Sequence, residues 1–424
     1  MDQDDQIVIT GIAPVSALGH GPDRCWDALV AGACGLAPIT RFDTTSFPVK
    51  LAGEVRDEQP ARWLDRRLLV ATDRWTQFGL IAAQHALADA GLDLAEIDPY
   101  RVAVITAAAS GGNDFGQREI QSLWHNGPRT VTVYQSIAWF YAATTGQISI
   151  RQGSKGTCGV VAGGGAAGLD IFGQAARVLA SGADVVLVGA TEASLSPYAL
   201  TCQHGSGLLS SGGEPATAYQ PFGEAAAGYV VGEGGAMFVL ERAGHCRARG
   251  ARPLAVVAGQ AASHDGRRSR STDDAERAGG LADAIRSALT RAGVEPADVG
   301  VAFADGAGVP RLDRIEADAL AAVFGRRATR VPVVVTKAAT GRMEAASACF
   351  DVFAAARSID TGVIPPTANA AAPQFDLDLV AAARRQRIDH ALVVARGHGG
   401  FNAALVLSTP NPHNADSPKE LSHA

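Results

Sequence analysis

The segment 153–170 has the layout that enzymes use to present a nucleophile. A short apolar run after Cys158 leads into three glycines, Gly163 to Gly165, and a helix-like segment follows at 169–180. A strand, a tight turn and a helix in this order push the side chain at the turn outward, above the positive potential of the helix N-terminus. The turn contains glycine where covalent catalysis needs Ser, Cys or Lys. The segment therefore has the framework of a covalent catalyst and lacks the reacting atom.

Alternating strands and helices surround this segment along the whole chain. Apolar, β-branched runs predict strands at 7–11, 101–106, 184–189 and 234–241, and again at 254–260, 300–304, 331–336, 390–395 and 403–408. Helical spacing predicts helices at 25–31, 77–90, 112–124, 169–180, 278–292, 313–324 and 345–359, with a turn at 13–17 and a charged connection at 242–252. This alternation indicates a layered α/β fold. The second half repeats the element order of the first, as two pseudo-duplicated halves would.

Composition excludes several classes of protein. The chain has 424 residues, of which 47% are hydrophobic and 19% charged, as expected for a soluble globular protein. Its net charge of −6, without a long basic block, argues against nucleic-acid binding. The acidic start at 1–5 is unlike a signal peptide, and no apolar run approaches the roughly 18 residues of a membrane span. Six cysteines without paired spacing predict reduced thiols and a cytoplasmic location.

Two features that resemble functional motifs have simpler interpretations. Cys158 could be a displaced nucleophile, but it lies seven residues before Gly165, and a small, buried strand residue is the favoured interpretation. The glycine-rich run 228–235 lacks the Lys-Ser/Thr of a phosphate-binding loop and leads into a strand. We therefore expect no cofactor and no metal.

Three dispersed motifs resemble those of the ketosynthase family of thiolase-like condensing enzymes. In that family a catalytic Cys precedes two small residues and Gly-Leu-Asp, and the equivalent position here is Gly165. A His-Gly-Thr-like turn and a Lys-x-x-x-Gly-His motif supply two histidines, and Asp305 and Arg342 stand in their places. The resemblance implies that all three catalytic side chains are replaced. Most relatives carry Gln at position 165, so any role of that Gln in malonyl decarboxylation does not transfer to this chain.

The resemblance extends from about residue 7 to residue 407 and implies a five-layered αβαβα thiolase fold. It divides the chain into an N-terminal half at 1–250 and a C-terminal half at 251–411. The proline-containing tail at 412–424 is expected to be disordered. Dimerisation in this fold involves strands and helices near the turn at Gly165.

The replaced site has two interpretations. Asp305 and Arg342 could form an ion pair that fills a dead site, or they could belong to a rewired active site. The first is favoured because a nucleophile is missing and Arg does not exchange protons near neutral pH. Lys337 and Glu316 remain where the family keeps supporting residues, either for residual function or as a buried pair retained for stability.

Within the family the chain resembles the chain length factor, the ketosynthase-β subunit of type II polyketide synthases. The resemblance rests on 341–342, on 305–306 with 309–310, on 396–402, on 115–119 with 123–124 and on 134–141. It implies a non-catalytic subunit that forms a heterodimer with a Cys-containing ketosynthase and meets the acyl carrier protein through that complex. It also implies a product tunnel whose gate positions are Asn113, Gly116, Ile120 and, on a following loop, Tyr198. Gly116 would reserve space there, or would be an ordinary helix defect costing about 1 kcal/mol.

Three functions remain open at this point: a length-setting subunit, an independent acyl-transfer or decarboxylating enzyme using Lys337, Glu316 and Asp305, and a purely structural stabiliser of the partner. The basic loop 267–270 could meet an acidic carrier protein, although Asp273 and Asp274 equally suggest a self-neutralising surface loop.

Overall fold

A computed structural model describes residues 3–56, 59–266 and 274–410. The strands are β1 (Ile7–Ser16), β2 (Gly19–His20), β3 (Ala37–Pro38), β4 (Leu51–Ala52), β5 (Val102–Ala107), β6 (Cys158–Val161), β7 (Val185–Glu192), β8 (Gly234–Arg242), β9 (Ala255–His264), β10 (Val299–Phe303), β11 (Pro332–Val334), β12 (Val363–Ile364), β13 (Asp378–Leu379), β14 (Arg384–Arg385), β15 (His390–Arg396) and β16 (Phe401–Ser408). The α-helices are α1 (Pro22–Val30), α2 (Arg66–Ala71), α3 (Arg74–Asp89), α4 (Asn113–Asn126), α5 (Gln135–Ala138), α6 (Ala143–Gln152), α7 (Ala167–Ala180), α8 (Pro197–His204), α9 (Ala243–Ala248), α10 (Asp274–Ala292), α11 (Pro310–Phe324), α12 (Lys337–Thr340) and α13 (Ala345–Thr361).

The strand order repeats between the two halves, which confirms the predicted pseudo-duplication. One half runs β6-β5-β7-β8-β1 and the other β11-β10-β15-β16-β9. In both, the first three strands are parallel and the last two pairings are antiparallel. β1 and β9 join the halves through a short antiparallel contact. β5 and β7 are buried along their length and mostly apolar, as parallel strands covered by helices on both faces require.

Helices separate and cover the two strand layers formed by these halves, so the chain has the expected five layers. α7 and α13 contact strands of both halves and form the central layer. α3 packs on β1, β7 and β8 on one outer side, whereas α10 packs on β9 and β16 on the other. α13 is rich in alanine and buried along almost all of its length. Its small side chains allow two sheets to approach one helix, while Phe350 and Phe353 fill the remaining space.

Two local predictions were wrong. The turn expected at 13–17 is largely strand, because β1 continues to Ser16 and pairs with β8 through Val15 and Gly235. The connection expected at 242–252 contains α9, whose Cys246 packs into a small apolar cluster. In both cases tertiary packing decides a conformation that local composition leaves open. The basic loop 267–270, Asp273 and the tail 412–424 lie outside the described residues.

None of the helices in the described ranges is both long and apolar enough to cross a membrane.

Candidate functional site

The three positions at which the family resemblance predicts replaced catalytic side chains meet where β10 and β11 end. Asp305 follows β10, and α12, which follows β11, ends just before Arg342. Gly165 lies in a single 3-10 turn at 164–166, directly before α7. Because β10 and β11 are parallel neighbours, their carboxyl ends share one edge of the sheet. We call the resulting cluster of Gly165, Asp305, Arg342 and Arg396 the closed site.

Asp305 and Arg342 form the predicted ion pair. Nη2 of Arg342 lies 3.0 Å from each carboxylate oxygen of Asp305. The backbone N–H of Arg396 donates a further hydrogen bond of 3.3 Å to Oδ1. The side chain of Asp305 is 4% exposed and that of Arg342 is 11% exposed, so the pair is shielded from water. The guanidinium also lies over the ring of Tyr229, 5.5 Å from its centroid.

Charge at the closed site is set by this pair. Burial alone would oppose ionisation of Asp305, but Arg342 and Lys337 outweigh it and hold the pKa of that carboxyl below its ordinary value. Burial likewise disfavours the charged guanidinium, yet Asp305 keeps the pKa of Arg342 well above its ordinary value. Both groups are therefore ionised at neutral pH and neither is placed to exchange protons.

Gly165 faces a filled space. A Cβ atom built on this residue would lie 2.5 Å from the carbonyl oxygen of Arg396 and 3.5 Å from Nη2 of Arg342. Nη2 donates to the same carbonyl over 3.2 Å, which holds the Arg396 backbone in place. A carbon atom 2.5 Å from a carbonyl oxygen is inside van der Waals contact. The turn therefore does not accept a side chain without movement of the chain after β15.

The predicted pairing of Lys337 with Glu316 was wrong. Nζ of Lys337 forms an ion pair with Asp351 of α13 and donates to the carbonyl of Ala304 over 3.1 Å. Glu316 accepts the backbone N–H groups of Asp305 and Gly306 at 2.7 and 2.8 Å. Glu316 belongs to α11 and Asp351 to α13, so two different helices supply the two carboxylates. Asp351 was missed, although a carboxylate inside the predicted apolar helix 345–359 was a usable signal.

The side chains of this cluster are thus occupied in holding one another. Burial, followed by the nearby charge of Asp305, raises the pKa of Glu316, so this carboxyl is close to protonation at neutral pH. Its two oxygens are engaged by backbone donors, and the ammonium of Lys337 by Asp351. Acyl transfer needs a nucleophile and a base within reach of it. At the turn of Gly165 the cluster presents an ion pair and a backbone carbonyl, and its other charged side chains are held by one another.

Three of the four predicted gate positions lie on one face of α4. Asn113, Gly116 and Ile120 are spaced by three and four residues, which places them on one face of a helix. Tyr198 belongs to α8, so its predicted position on a loop was wrong. Its backbone N–H donates to Oε1 of Gln117 over 2.8 Å, which joins the two helices. The structure therefore brings all four positions to one region.

The space expected beside Gly116 is occupied within this chain. A Cβ atom built on Gly116 would lie 3.2 Å from Cδ1 and 3.4 Å from Nε1 of Trp139. The backbone N–H of Gly112 also meets the carbonyl of Trp139, at 3.5 Å. The glycine thus makes room for an indole ring of the same subunit, and the expectation of an empty space was wrong. Trp139 was missed as a gate candidate, although it lies in the aromatic run 134–141.

The gate region is part of an exposed apolar surface, which we call the aromatic face. It combines residues of α4, α5 and α8 with residues of the connections beside these helices. α4 contacts both α5 and α8. Each side chain exposes between 39% and 82% of its area; they are Ile120, Trp124, Val133, Ile137, Trp139, Phe140, Tyr141 and Tyr198. Contiguous apolar surface of this kind marks a site of interaction with another molecule.

An edge strand ends the sheet in the same half. β6 is last in the strand order and pairs with β5 alone among the described strands. Cys158 lies in β6, as predicted, but it is exposed, so its predicted burial was wrong. The reason is its position at an edge, where one side of the strand has no neighbouring strand in the described ranges. Unpaired edges of this kind offer backbone donors and acceptors to a second chain.

Fold and site together define a class of protein: a thiolase-like condensing framework whose nucleophile position is closed. The chain belongs to the β-ketoacyl synthase family, since residues 4–245 match the N-terminal domain of that family and residues 254–371 its C-terminal domain.

Individual relatives and solved structures give a more specific comparison than the family as a whole. The tetracenomycin polyketide synthase ketoacyl synthase beta subunit of Streptomyces glaucescens is 50% identical over 95% of this chain and 98% of that protein. The ishigamide ketosynthase/chain length factor structure has a TM-score of 0.86 at 27% identity, covering 95% of this chain and 99% of that one. A type II polyketide synthase acyl-carrier protein in complex with its ketosynthase bound to the hexaketide matches with a TM-score of 0.85 at 26% identity, over 95% and 99% of the two chains.

Proposed function

We propose that this chain is the non-catalytic, length-setting subunit of a type II polyketide synthase. It forms a heterodimer with a Cys-containing ketosynthase, and the growing polyketide extends into a tunnel between the two subunits. The carrier protein delivers its acyl groups to the catalytic partner and meets this chain through the complex.

One observation carries the non-catalytic part of the proposal. The carbonyl oxygen of Arg396 lies 2.5 Å from where a Cβ at position 165 would be. A thioester-forming side chain has no room at the turn, and the ion pair of Asp305 and Arg342 occupies the place of the imidazoles. A ketosynthase partner must therefore supply the thiolate that holds the polyketide.

The aromatic face and β6 support the heterodimer. Exposed tryptophan, tyrosine and phenylalanine side chains are typical of the buried core of protein interfaces. β6 lies at the edge of the same half and is available for pairing across an interface. The beta-subunit and ketosynthase/chain length factor names of the relatives agree with this arrangement.

Within this interface, α4 and α8 bear the length gate. Asn113, Gly116, Ile120 and Tyr198 belong to it, and we add Trp139 because its ring covers Gly116. Ile120 and Tyr198 expose 45% and 54% of their surfaces, so both are accessible to a chain growing along the interface.

The competing enzyme hypothesis requires a reactive group in the closed site. Lys337, Glu316 and Asp305 are the candidates, and each is engaged by a buried partner of its own. Incubation of the purified chain with malonyl-loaded carrier protein separates the two functions. We expect no covalent adduct by intact-protein mass spectrometry and no release of carbon dioxide above that of the carrier protein alone. An adduct anywhere at 163–167 favours the enzyme.

The heterodimer is tested by placing charge on the aromatic face. Val133→Asp should weaken assembly with a co-expressed ketosynthase by about tenfold or more, because burying an unpaired carboxylate is costly. Val70→Asp is the matched control, since Val70 is also exposed, at 53%, and lies on α2 outside the aromatic face. Size-exclusion chromatography of the co-purified proteins measures assembly. Equal assembly of both variants would place the interface elsewhere.

A cytoplasmic location accompanies this proposal. All six cysteines are free thiols in the structure, including the exposed Cys34, Cys158 and Cys202. Free, exposed thiols are typical of a reducing compartment.

A further inference from the structure

Two separate segments lead into the helices of the length gate. Residues 108–112 connect β5 to α4, and residues 193–196 connect β7 to α8. Both segments meet at Glu192, the last residue of β7, whose side chain is fully buried. A buried carboxyl beside two connecting segments calls for an account, because burial without hydrogen bonds would cost several kcal/mol.

The hydrogen bonds of Glu192 join the two segments. The backbone N–H of Ala109 donates to Oε1 over 2.5 Å, and the hydroxyl of Ser110 donates to Oε2 over 2.6 Å. The hydroxyl of Ser194 in turn donates to Oγ of Ser110. Ser110 lies three residues before Asn113, and Ser194 lies four residues before Tyr198. One carboxyl therefore holds together the approaches to both gate helices.

Other contacts hold α4 and α8 at different points. Asp73 accepts the N–H of Phe115 over 2.7 Å at the start of α4, and Gln117 accepts the N–H of Tyr198. The ends of the segment 108–112 are also held, because the N–H groups of Ala108 and Gly112 donate to the carbonyls of Val161 and Trp139 over 3.1 and 3.5 Å. In the second segment, Nε2 of Gln203 donates to the carbonyl of Ser194 over 2.9 Å. Together these contacts leave a short hinge at 109–111. Glu192 is the group that closes this hinge from the sheet side.

We infer that Glu192 is a positioning residue of the length gate: by binding residues 109 and 110 it sets where α4 stands relative to α8, without touching the polyketide. This inference rests on the proposed function. As a consequence, the width of the product-length distribution depends on a residue that is buried at the end of a strand.

The protonation state of Glu192 provides a second, independent test of this inference. Burial, with a smaller contribution from the charge of Glu344 at the start of α13, raises the pKa of Glu192 to about 8. The uncharged groups facing the carboxyl are the hydroxyl of Ser110 and, behind it, that of Ser194. In an open hinge the carboxyl would be exposed and its pKa would return toward the ordinary 4.5, so the closed hinge loses stability as the pH rises from about 4.5 to about 8.

The experiment uses the heterodimer with its ketosynthase partner and malonyl-loaded carrier protein, with product lengths measured by mass spectrometry. Glu192→Gln keeps the shape and one acceptor oxygen for the N–H of Ala109, while its amide NH2 can donate to Oγ of Ser110. It joins the same residues without a charge and should retain the wild-type distribution. Glu192→Ala should raise the fraction of off-length product by about tenfold, the equivalent of roughly one lost hydrogen bond. Glu241→Gln is the control, because Glu241 is an equally buried glutamate at the opposite end of the neighbouring strand β8.

The outcomes separate this inference from the proposed function. If Ile120→Phe shortens the product while assembled Glu192→Ala gives the wild-type distribution, the inference is wrong and the gate stands. If Ile120→Phe has no effect either, the proposed gate itself is wrong.

A pH comparison covers the case in which Glu192→Ala does not fold. Between pH 5 and pH 8 the wild type should broaden its product distribution more than Glu192→Gln does, because only the wild type has a carboxyl that titrates in this window. Equal broadening of the two proteins overturns the inference, because changes in the partner affect both alike.

Discussion

Replacing Arg342 with methionine would leave the carboxylate of Asp305 buried in the closed site without its guanidinium. The two side chains are 11% and 4% exposed, so little water can replace the lost partner. Removing one member of a buried pair typically costs about 3–5 kcal/mol, because the other charge remains uncompensated. Methionine keeps most of the side-chain volume, so the expected loss comes mainly from charge.

This loss converts into a measurable shift of the melting temperature. With an unfolding entropy of roughly 2.1 cal/mol/K per residue, a chain of 424 residues has about 0.9 kcal/mol/K in total. A loss of about 4 kcal/mol therefore lowers the melting temperature by roughly 4–5 °C. Asp305→Asn leaves Arg342 unpaired and should have an effect of similar size.

The double variant Asp305→Asn/Arg342→Met removes both charges. Its loss should be smaller than the sum of the two single losses, by about 2–3 kcal/mol within the range of contacting residues. The matched control is the bidentate pair of Arg384 and Asp378, with N–O distances of 2.6 and 2.7 Å but 41% and 24% exposure. The coupling of an exposed pair should not exceed about 1 kcal/mol.

The pH dependence has a definite sign. In the wild type the pKa of Asp305 is lowered, so the pair's contribution is complete above the ordinary aspartate pKa and is lost only as the pH falls through the lower folded value. Without Arg342, burial raises that pKa, and the folded variant takes up a proton as the pH falls. The destabilisation of Arg342→Met should therefore be smaller at pH 5 than at pH 8.

Differential scanning calorimetry of the four proteins, prepared in the same assembly state, tests the whole set. The reasoning would be refuted if the stability losses of the two single variants added up in the double variant. It would also be refuted if the destabilisation of Arg342→Met did not change with pH. Either result would mean that Asp305 and Arg342 do not stabilise each other at this site.

Further predictions concern the turn, the gate and the buried acids. Gly165→Cys should lower the melting temperature and remain unacylated by loaded carrier protein in intact-protein mass spectrometry, because the Arg396 carbonyl blocks the new side chain. Ile120→Phe and Gly116→Thr should shorten the product in two-carbon steps. The threonine acts by pushing on Trp139, at an overpacking cost of about 1–3 kcal/mol. An unchanged product from the assembled double variant would contradict this. Because the pKa of Glu192 is raised from about 4.5 to about 8, the folded state holds its proton longer, so this group's effect on stability declines as pH rises through that window. Thermal melts from pH 5 to pH 9 should show a weaker decline for Glu192→Gln, and identical slopes would argue against a raised pKa.

Much of the fold was predictable because its signals are local. Strands buried on both faces are continuous apolar runs, and β5 and β7 were recognised for that reason. Helical spacing located α4 and α13 to within a few residues. The errors at 13–17 and 242–252 arose where pairing with β8 or packing against the N-terminal residues determines the conformation.

The candidate site divides in the same way. The replacement of catalytic residues at Gly165, Asp305 and Arg342 is a matter of residue identity, and identity can be compared along a chain. The partners of those residues depend on distances between elements remote in sequence. That is why Lys337 was assigned to Glu316, although the packing of α13 brings it to Asp351.

Residue types alone determined that this chain has a condensing-enzyme framework with glycine at position 165, where a side chain of one hydrogen atom cannot form a thiolate. Tertiary structure decided how the vacant positions are filled. The Arg396 carbonyl closes the turn, Trp139 covers Gly116, and Glu192 joins two segments whose residues are about 80 positions apart. These contacts could not be predicted from the sequence. Every residue has a backbone carbonyl, so residue type does not show which carbonyl closes the turn, and the neighbours of an aromatic ring depend on how the helices pack.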